Sequence, residues 1–201
     1  TTHRNSIVCV LMTVIEMLQG AGELLLWIFL ADLTTGFVHF WMDQYGKEDM
    51  PFVGKMVIEI NILHHQDPRH MTKRNYWFLT KASWLLGVII YTVSVLVTGE
   101  FSWKLAIFLC YAAQANVFHM WAHRTVQENG KFITFLQRMR LIQSPKHHAG
   151  HHIAPYDRQF CILTDWFNPI LERIWFWEGV IGFFRLFGIQ PVAGSNIRQN
   201  V

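Results

Sequence analysis

ASWLLGVIIYTVSVLVTG, residues 82–99, and LAIFLCYAAQANVFHMWA, residues 105–122, decide the fold. Neither stretch contains an Asp, Glu, Lys or Arg, and the polar turn from Glu100 to Lys104 joins them. As helices, each rises about 27 Å, close to the ~30 Å hydrocarbon thickness of a bilayer. The pair reads as a transmembrane hairpin. Composition agrees: 52% of the 201 residues are hydrophobic and 15% charged, a lean polar allowance for a soluble protein.

Working outward, Glu16, Glu23 and Asp32 interrupt the apolar N-terminal third. The pattern predicts a helix over 6–18, a break at Gly20-Ala21-Gly22 and a second helix over 23–42. The expected architecture is an all-α integral membrane protein of one domain, 1–201, with about four transmembrane helices and a histidine-rich cap. Trp175, Phe176, Trp177, Phe183, Phe184 and Phe187, with Arg173 and Arg185, predict an interfacial amphipathic segment over 168–188. The Thr1 start is compatible with removal of an upstream segment, a targeting peptide included.

Lysine and arginine positions orient the spans, because short cytoplasmic loops carry the positive excess. One such residue precedes the first predicted helix, six lie in 43–81, one lies in 99–104 and nine follow His123. Four spans put both termini and every polar histidine cluster on the cytoplasmic side or its organellar equivalent. The formal charge of +3 then reflects anionic lipid rather than nucleic acid, since the basic residues flank spans instead of forming a block. Cys9, Cys110 and Cys161 lie far apart, which implies neither a disulfide framework nor a zinc ribbon.

Ten of the eleven histidines fall in four clusters: His39, His64-His65 with His70, His119 with His123, and His147-His148 with His151-His152. So many imidazoles with almost no nearby thiol favour iron or zinc over a sulfur cluster, and they exceed what one tetrahedral ion uses. His119 and His123, one turn apart, can share an ion, and Asn116 lies on the same face. An interfacial aromatic belt around Trp121 is the alternative for that pair. The 147–152 run is more specific, since four crowded imidazoles repel when protonated and a metal needs them neutral. Adjacent His64 and His65 diverge by about 100° on a helix, so they serve two ions, or one supports the other. His70 reads as a surface residue of the following turn.

Asp32, Gly36, His39 and Asp43 form one polar stripe along the second predicted helix. A carboxylate at mid-span costs about 2.5–3.5 kcal/mol, so Asp32 needs a partner, with an interhelical hydrogen bond as its simplest role. Asp43, one turn beyond His39, is placed to ligate a metal or hold a ligand imidazole. Glu59 and Asn61 are candidates for a supporting role or for plain solvation.

These motifs resemble the Kua/lipid desaturase family, which includes plasmanylethanolamine desaturases and the plant-type desaturase of phosphatidylglycerol acyl chains. The resemblance runs from about Ala31 to Phe187, through Ala31-Asp32, Gly36, His39, Asp43, His64-His65, Asn116 to His123, and His148 to Tyr156, followed by Phe160-Cys161-Ile162. It implies metal-linked roles for His39, Asp43, His64, His65, His119, His123, His148, His151 and His152, catalytic roles for Asp43 and Asn116, and supporting roles for His147 and Asp32. Tyr45-Gly46, the Trp-Ala-His123 ending and Ala154-Pro155-Tyr156 look closer to the plant type, as does Arg74, where animal-type members carry histidine.

The resemblance further implies an oxygen-dependent di-iron enzyme, using two Fe ions and O2, that removes two hydrogens from a phospholipid acyl chain or from an alkyl ether to give a vinyl ether. Reducing O2 to two waters takes four electrons and forming one C=C supplies two. The other two must come from an external carrier such as cytochrome b5 or ferredoxin, because no haem or flavin motif is present. The membrane expected is that of the endoplasmic reticulum or a plastid, or the bacterial inner membrane. A lipid hydroxylase would use the same ligands. A metal transporter or sensor should line a path through the bilayer, and a membrane-anchoring module would leave four histidine clusters unexplained.

Overall fold

The computed structural model describes the backbone from Thr2 to Val192 and side chains from Leu11 onward; Cys9 and the tail beyond Val192 lie outside the described residues. Its elements are α1 (Thr2–Tyr45), a π-helical turn (Gly54–Ile58), α2 (Glu59–Gln66), α3 (Tyr76–Thr98), α4 (Trp103–Ala113), α5 (Ala115–His123), α6 (Val126–Arg138), α7 (Pro145–Ala149), α8 (Asn168–Arg173) and α9 (Phe176–Leu186). A single-turn 3-10 helix, Met71–Lys73, precedes α3. Helices are the only regular elements among the described residues.

Among the described residues, three helices are long and apolar enough to cross a membrane: Leu11–Tyr45, Tyr76–Thr98 and the α4–α5 rod Trp103–His123. The sequence reading of about four divides the N-terminal helix in two. The predicted pieces 6–18 and 23–42 are one helix of 44 residues, without a break at Gly20 or Gly22. An isolated glycine costs a helix only about 1 kcal/mol, and the run on either side is rich in strong helix formers. Because α1 is continuous, its first residue lies at the opposite end from the cap, and the Lys/Arg split becomes fifteen against two.

The α3–α4 turn meets α1 at Glu23, whose carboxylate lies 2.8 Å from Lys104 Nζ. Trp27 packs edge-on to Phe108 at 6.1 Å a turn farther in, so α1 and α4 run parallel. From Glu23 to Asp43 the helix rises about 30 Å, one hydrocarbon thickness, which puts Asp32 near mid-span.

Non-helical backbone reaches that depth. The loop 160–165 descends beside α1, where Gly36 gives it room: a Cβ there would lie 2.8 Å from Cys161 Sγ and 3.0 Å from Cys161 Cα. Inside a membrane every peptide group needs a protein partner. Asp32 accepts from Leu163 N (2.8 Å), Thr164 N (3.0 Å) and Thr164 Oγ1 (2.7 Å). Asn168 bonds both Cys161 N and Cys161 O, and Gln143 bonds Leu163 O through its backbone and Cys161 O through its side chain. Asp32 is fully buried and has the hydrogen-bond partners that its place in a span requires, but they come from a loop rather than from the second helix that the sequence suggested.

The amphipathic segment folds as α8 and α9 against the inner end of α1. Trp177 stacks on Phe40 with centroids 4.9 Å apart, and Phe184 meets Tyr45 edge-on at 5.3 Å. Phe183, Leu186 and Phe187 stay exposed on the opposite face.

Asp32→Ala strands two buried N–H groups, at a cost on the order of 1–3 kcal/mol each. Gly36→Val forces the loop off α1. Both variants are expected to lower the melting temperature in detergent and the yield of monodisperse protein, whereas Gly20→Ala, with nothing within 4 Å of it, should leave both unchanged or slightly raised.

Candidate metal centre

The cap gathers imidazoles from four parts of the chain onto one point. His39 and Asp43 come from the inner end of α1, His64 and His65 from α2, His119 and His123 from α5, and His148 from α7, with His151 and His152 in the turn after it. They form two groups. His64, His119, His123, His148 and His152 make one; His39, Asp43, His65 and His151 make the other, with ligand atoms in each group within 4.8 Å of one another. Adjacent His64 and His65 part company, one to each group, as their divergence on a helix requires. The groups adjoin: ring centroids lie 4.9 Å apart for His65 and His152, and 5.3 Å apart for His39 and His119.

Backbone carbonyls set the ring orientations. His39 Nδ1 lies 3.2 Å from Phe160 O and His151 Nδ1 lies 2.7 Å from Arg158 O, so each Nδ1–H donates and each Nε2 is free to ligate. Those two Nε2 atoms lie 3.5 and 3.3 Å from Asp43 Oδ2. All three atoms are buried without a hydrogen-bond partner, as are both ring nitrogens of His64 and Nε2 of His119. In the five-histidine group His148 Nε2 lies 2.8 Å from His123 Nε2 and 3.1 Å from His152 Nε2. Buried polar atoms ordinarily find partners. A shared cation satisfies this convergence of lone pairs, and the all-nitrogen-and-carboxylate donor set suits iron or zinc.

The same region of chain is recognised by comparison with known proteins, the lipid desaturase domain matching residues 28–193. The chain belongs to the lipid desaturase family. It is 30% identical over 162 residues to a plasmanylethanolamine desaturase of Myxococcus xanthus, covering 77% of this chain and 57% of that protein. It is 34% identical over 174 residues to the chloroplastic fatty acid desaturase 4 of Arabidopsis thaliana, covering 83% and 52%. It is 31% identical over 175 residues to plasmanylethanolamine desaturase 1 of Mus musculus, covering 81% and 64%. The chain thus spans about half to two thirds of these relatives. No solved structure matches it.

Within this lipid desaturase domain, two expected site residues stand apart from the ligand atoms. His147 Nε2 lies 3.0 Å from Asn168 Nδ2, so it braces the residue that holds the 160–165 loop. Asn116 is exposed and donates to Leu79 O at 3.1 Å, tying α5 to α3. His70 sits in its turn beside Arg74, at 3.0 Å. Asn61 is buried and donates to Asp43 Oδ1 at 2.6 Å, while Glu59 is exposed. Tyr156 packs edge-on to His65 at 5.5 Å. Nothing in the sequence marks Phe160 O and Arg158 O, because any residue supplies a carbonyl. Arg69 grips Glu128 through two hydrogen bonds of 2.9 and 2.7 Å and also reaches His123 O, holding Glu128 down to about 2.

Burial, reinforced by neighbouring imidazoles, pushes His64, His148 and His152 far below the ordinary histidine value. The fold therefore keeps them neutral, as metal binding requires. The unfolded chain takes up protons below about pH 6.5 that the folded chain refuses, so stability is complete above that value and falls as the pH drops. Metal-free protein is expected to melt progressively earlier as pH falls from about 7.5 to about 5.5, because buried His64 and His148 stay neutral in the fold and protonate on unfolding. Thermal scans across that range check it; a melting temperature that rises on acidification contradicts it.

Proposed function

We propose that this protein is an oxygen-dependent di-iron lipid desaturase that introduces a C=C bond into a phospholipid acyl or alkyl chain. The observation that carries the reading is the pair of adjoining donor groups, five histidines beside three histidines and Asp43, at the inner end of spans in a lipid desaturase family chain. His64, His119, His123, His148 and His152 would hold one iron; His39, Asp43, His65 and His151 would hold the other. Two iron ions bound there supply the redox chemistry for reducing O2 and taking two hydrogens from an unactivated chain.

The protein's own residues do the rest. Phe160 O and Arg158 O aim Nε2 of His39 and His151 inward, and Asp43 supplies the site's one negative charge. His39, His64, His65, His119, His148 and His151 are all nearly sealed from solvent, so water is largely excluded. The site lies where α1 leaves the hydrocarbon layer, within reach of a lipid chain between the spans. His123 and His152, which are only partly buried, form its aqueous edge. An external one-electron carrier of the cytochrome b5 or ferredoxin type, docking on the basic cap, supplies the two electrons that the substrate does not. A transporter fits less well, since the donors gather at one end of the helices rather than along a path.

The full chain, supplied with reductant in a host lacking related enzymes, is expected to add one double bond to membrane phospholipids. Lipid mass spectrometry separates an unsaturated acyl chain from a vinyl ether and from a hydroxylated product. His151→Ala and Asp43→Ala should each lower product at least 100-fold while leaving protein in the membrane; His147→Ala should keep measurable turnover. Normal product from Asp43→Ala removes that residue from the site, and hydroxylated lipid alone replaces desaturation by hydroxylation.

A further inference from the structure

The two donor groups differ in a way that the ligand count conceals. One consists of five neutral imidazoles and is partly open at His123 and His152; the other is fully buried and contains the only carboxylate. Everything in the second group turns on how that carboxylate is set. Asp43 Oδ2 faces the free Nε2 atoms of His39 and His151 at 3.5 and 3.3 Å. For metal–ligand bonds of about 2.1 Å, tetrahedrally arranged ligand atoms are separated by about 3.4 Å, so Oδ2 already stands at ligand spacing from each of the two imidazoles.

Asp43 Oδ1 is differently occupied. Asn61 Nδ2 donates to it at 2.6 Å, a buried charge-assisted bond, with His65 Nε2 at 3.2 Å on the same oxygen. Asn61 reaches this position from α2, one turn before His65. Its side chain thus fixes the carboxylate plane that a metal would meet.

We infer that Asn61 is the positioning residue of the carboxylate pocket: by holding Asp43 Oδ1, it presents Oδ2 alone to the ion shared with His39, His65 and His151. The inference rests on the two-ion reading above. Without the amide donor, Oδ1 keeps only the His65 Nε2 contact at 3.2 Å, the carboxylate plane is free to turn, and Oδ2 leaves its position facing His39 and His151, so the pocket loses its one anionic ligand. The five-histidine pocket, which Asn61 does not touch, keeps its ion.

The test uses full-length protein in detergent, loaded anaerobically with ferrous iron, freed of excess metal and analysed for iron per chain and for the melting temperature of the metal-free form. Asn61→Leu keeps the volume without the donor; Asn61→Ala removes the side chain should leucine prevent folding. Wild type is expected to hold two ions and each folded variant one, with the metal-free melting temperature lowered only by the roughly 10 °C or less that the loss of one buried hydrogen bond costs. Two ions in wild type and two in the variants overturn the role of Asn61 alone. Loss of both ions, or a large fall in the metal-free melting temperature, also overturns it, because the scaffold rather than one pocket has then failed. A wild-type content other than two fails the two-ion reading itself.

Discussion

A carboxylate half-way along a membrane span is the constraint on which the rest of the structure depends. Asp32 has no water to solvate it and receives instead two backbone N–H groups and a hydroxyl from the loop 160–165. The exchange satisfies both sides, since the loop equally lacks water for its peptide groups. Gly36, one turn on, lets that backbone touch the helix, and His39, one turn farther, donates to the carbonyl of Phe160. One face of α1 therefore carries, in order, the anchor, the clearance and the first ligand of the site.

Much of this was legible because it follows from helical spacing. His119 and His123 share a face and His64-His65 must diverge; these relations, with His151 and His152 brought in by the turn after α7, sort the histidines into two groups once the helices pack. The all-helical membrane architecture was equally legible from the charge-free stretches 82–99 and 105–122. Other features leave no periodic signal. The continuity of α1 through Gly20 and Gly22 depends on how much helix propensity its flanks supply. The ring-orienting carbonyls of Phe160 and Arg158 belong to a loop whose path is set by Asp32 and Gly36, more than 120 residues away. His147 looks like its neighbours in sequence, yet its position on α7 turns it toward Asn168 instead of the ligand atoms.

Family membership and geometry bear on different parts of the account. The relatives include desaturases named for plasmanylethanolamine and for fatty acids, so family membership alone does not name a substrate. The geometry supplies two adjoining donor groups, one fully buried and containing Asp43, the other partly open at His123 and His152.

The central claim is that one chain holds two neighbouring iron ions in unlike surroundings, five imidazoles around one and three imidazoles with a carboxylate around the other. Mössbauer spectroscopy of protein loaded with iron-57 in the reduced state measures this directly. The account predicts two quadrupole doublets of equal area, with the Asp43→Asn variant altering only one of them. A single doublet, or two that both change in that variant, would contradict it.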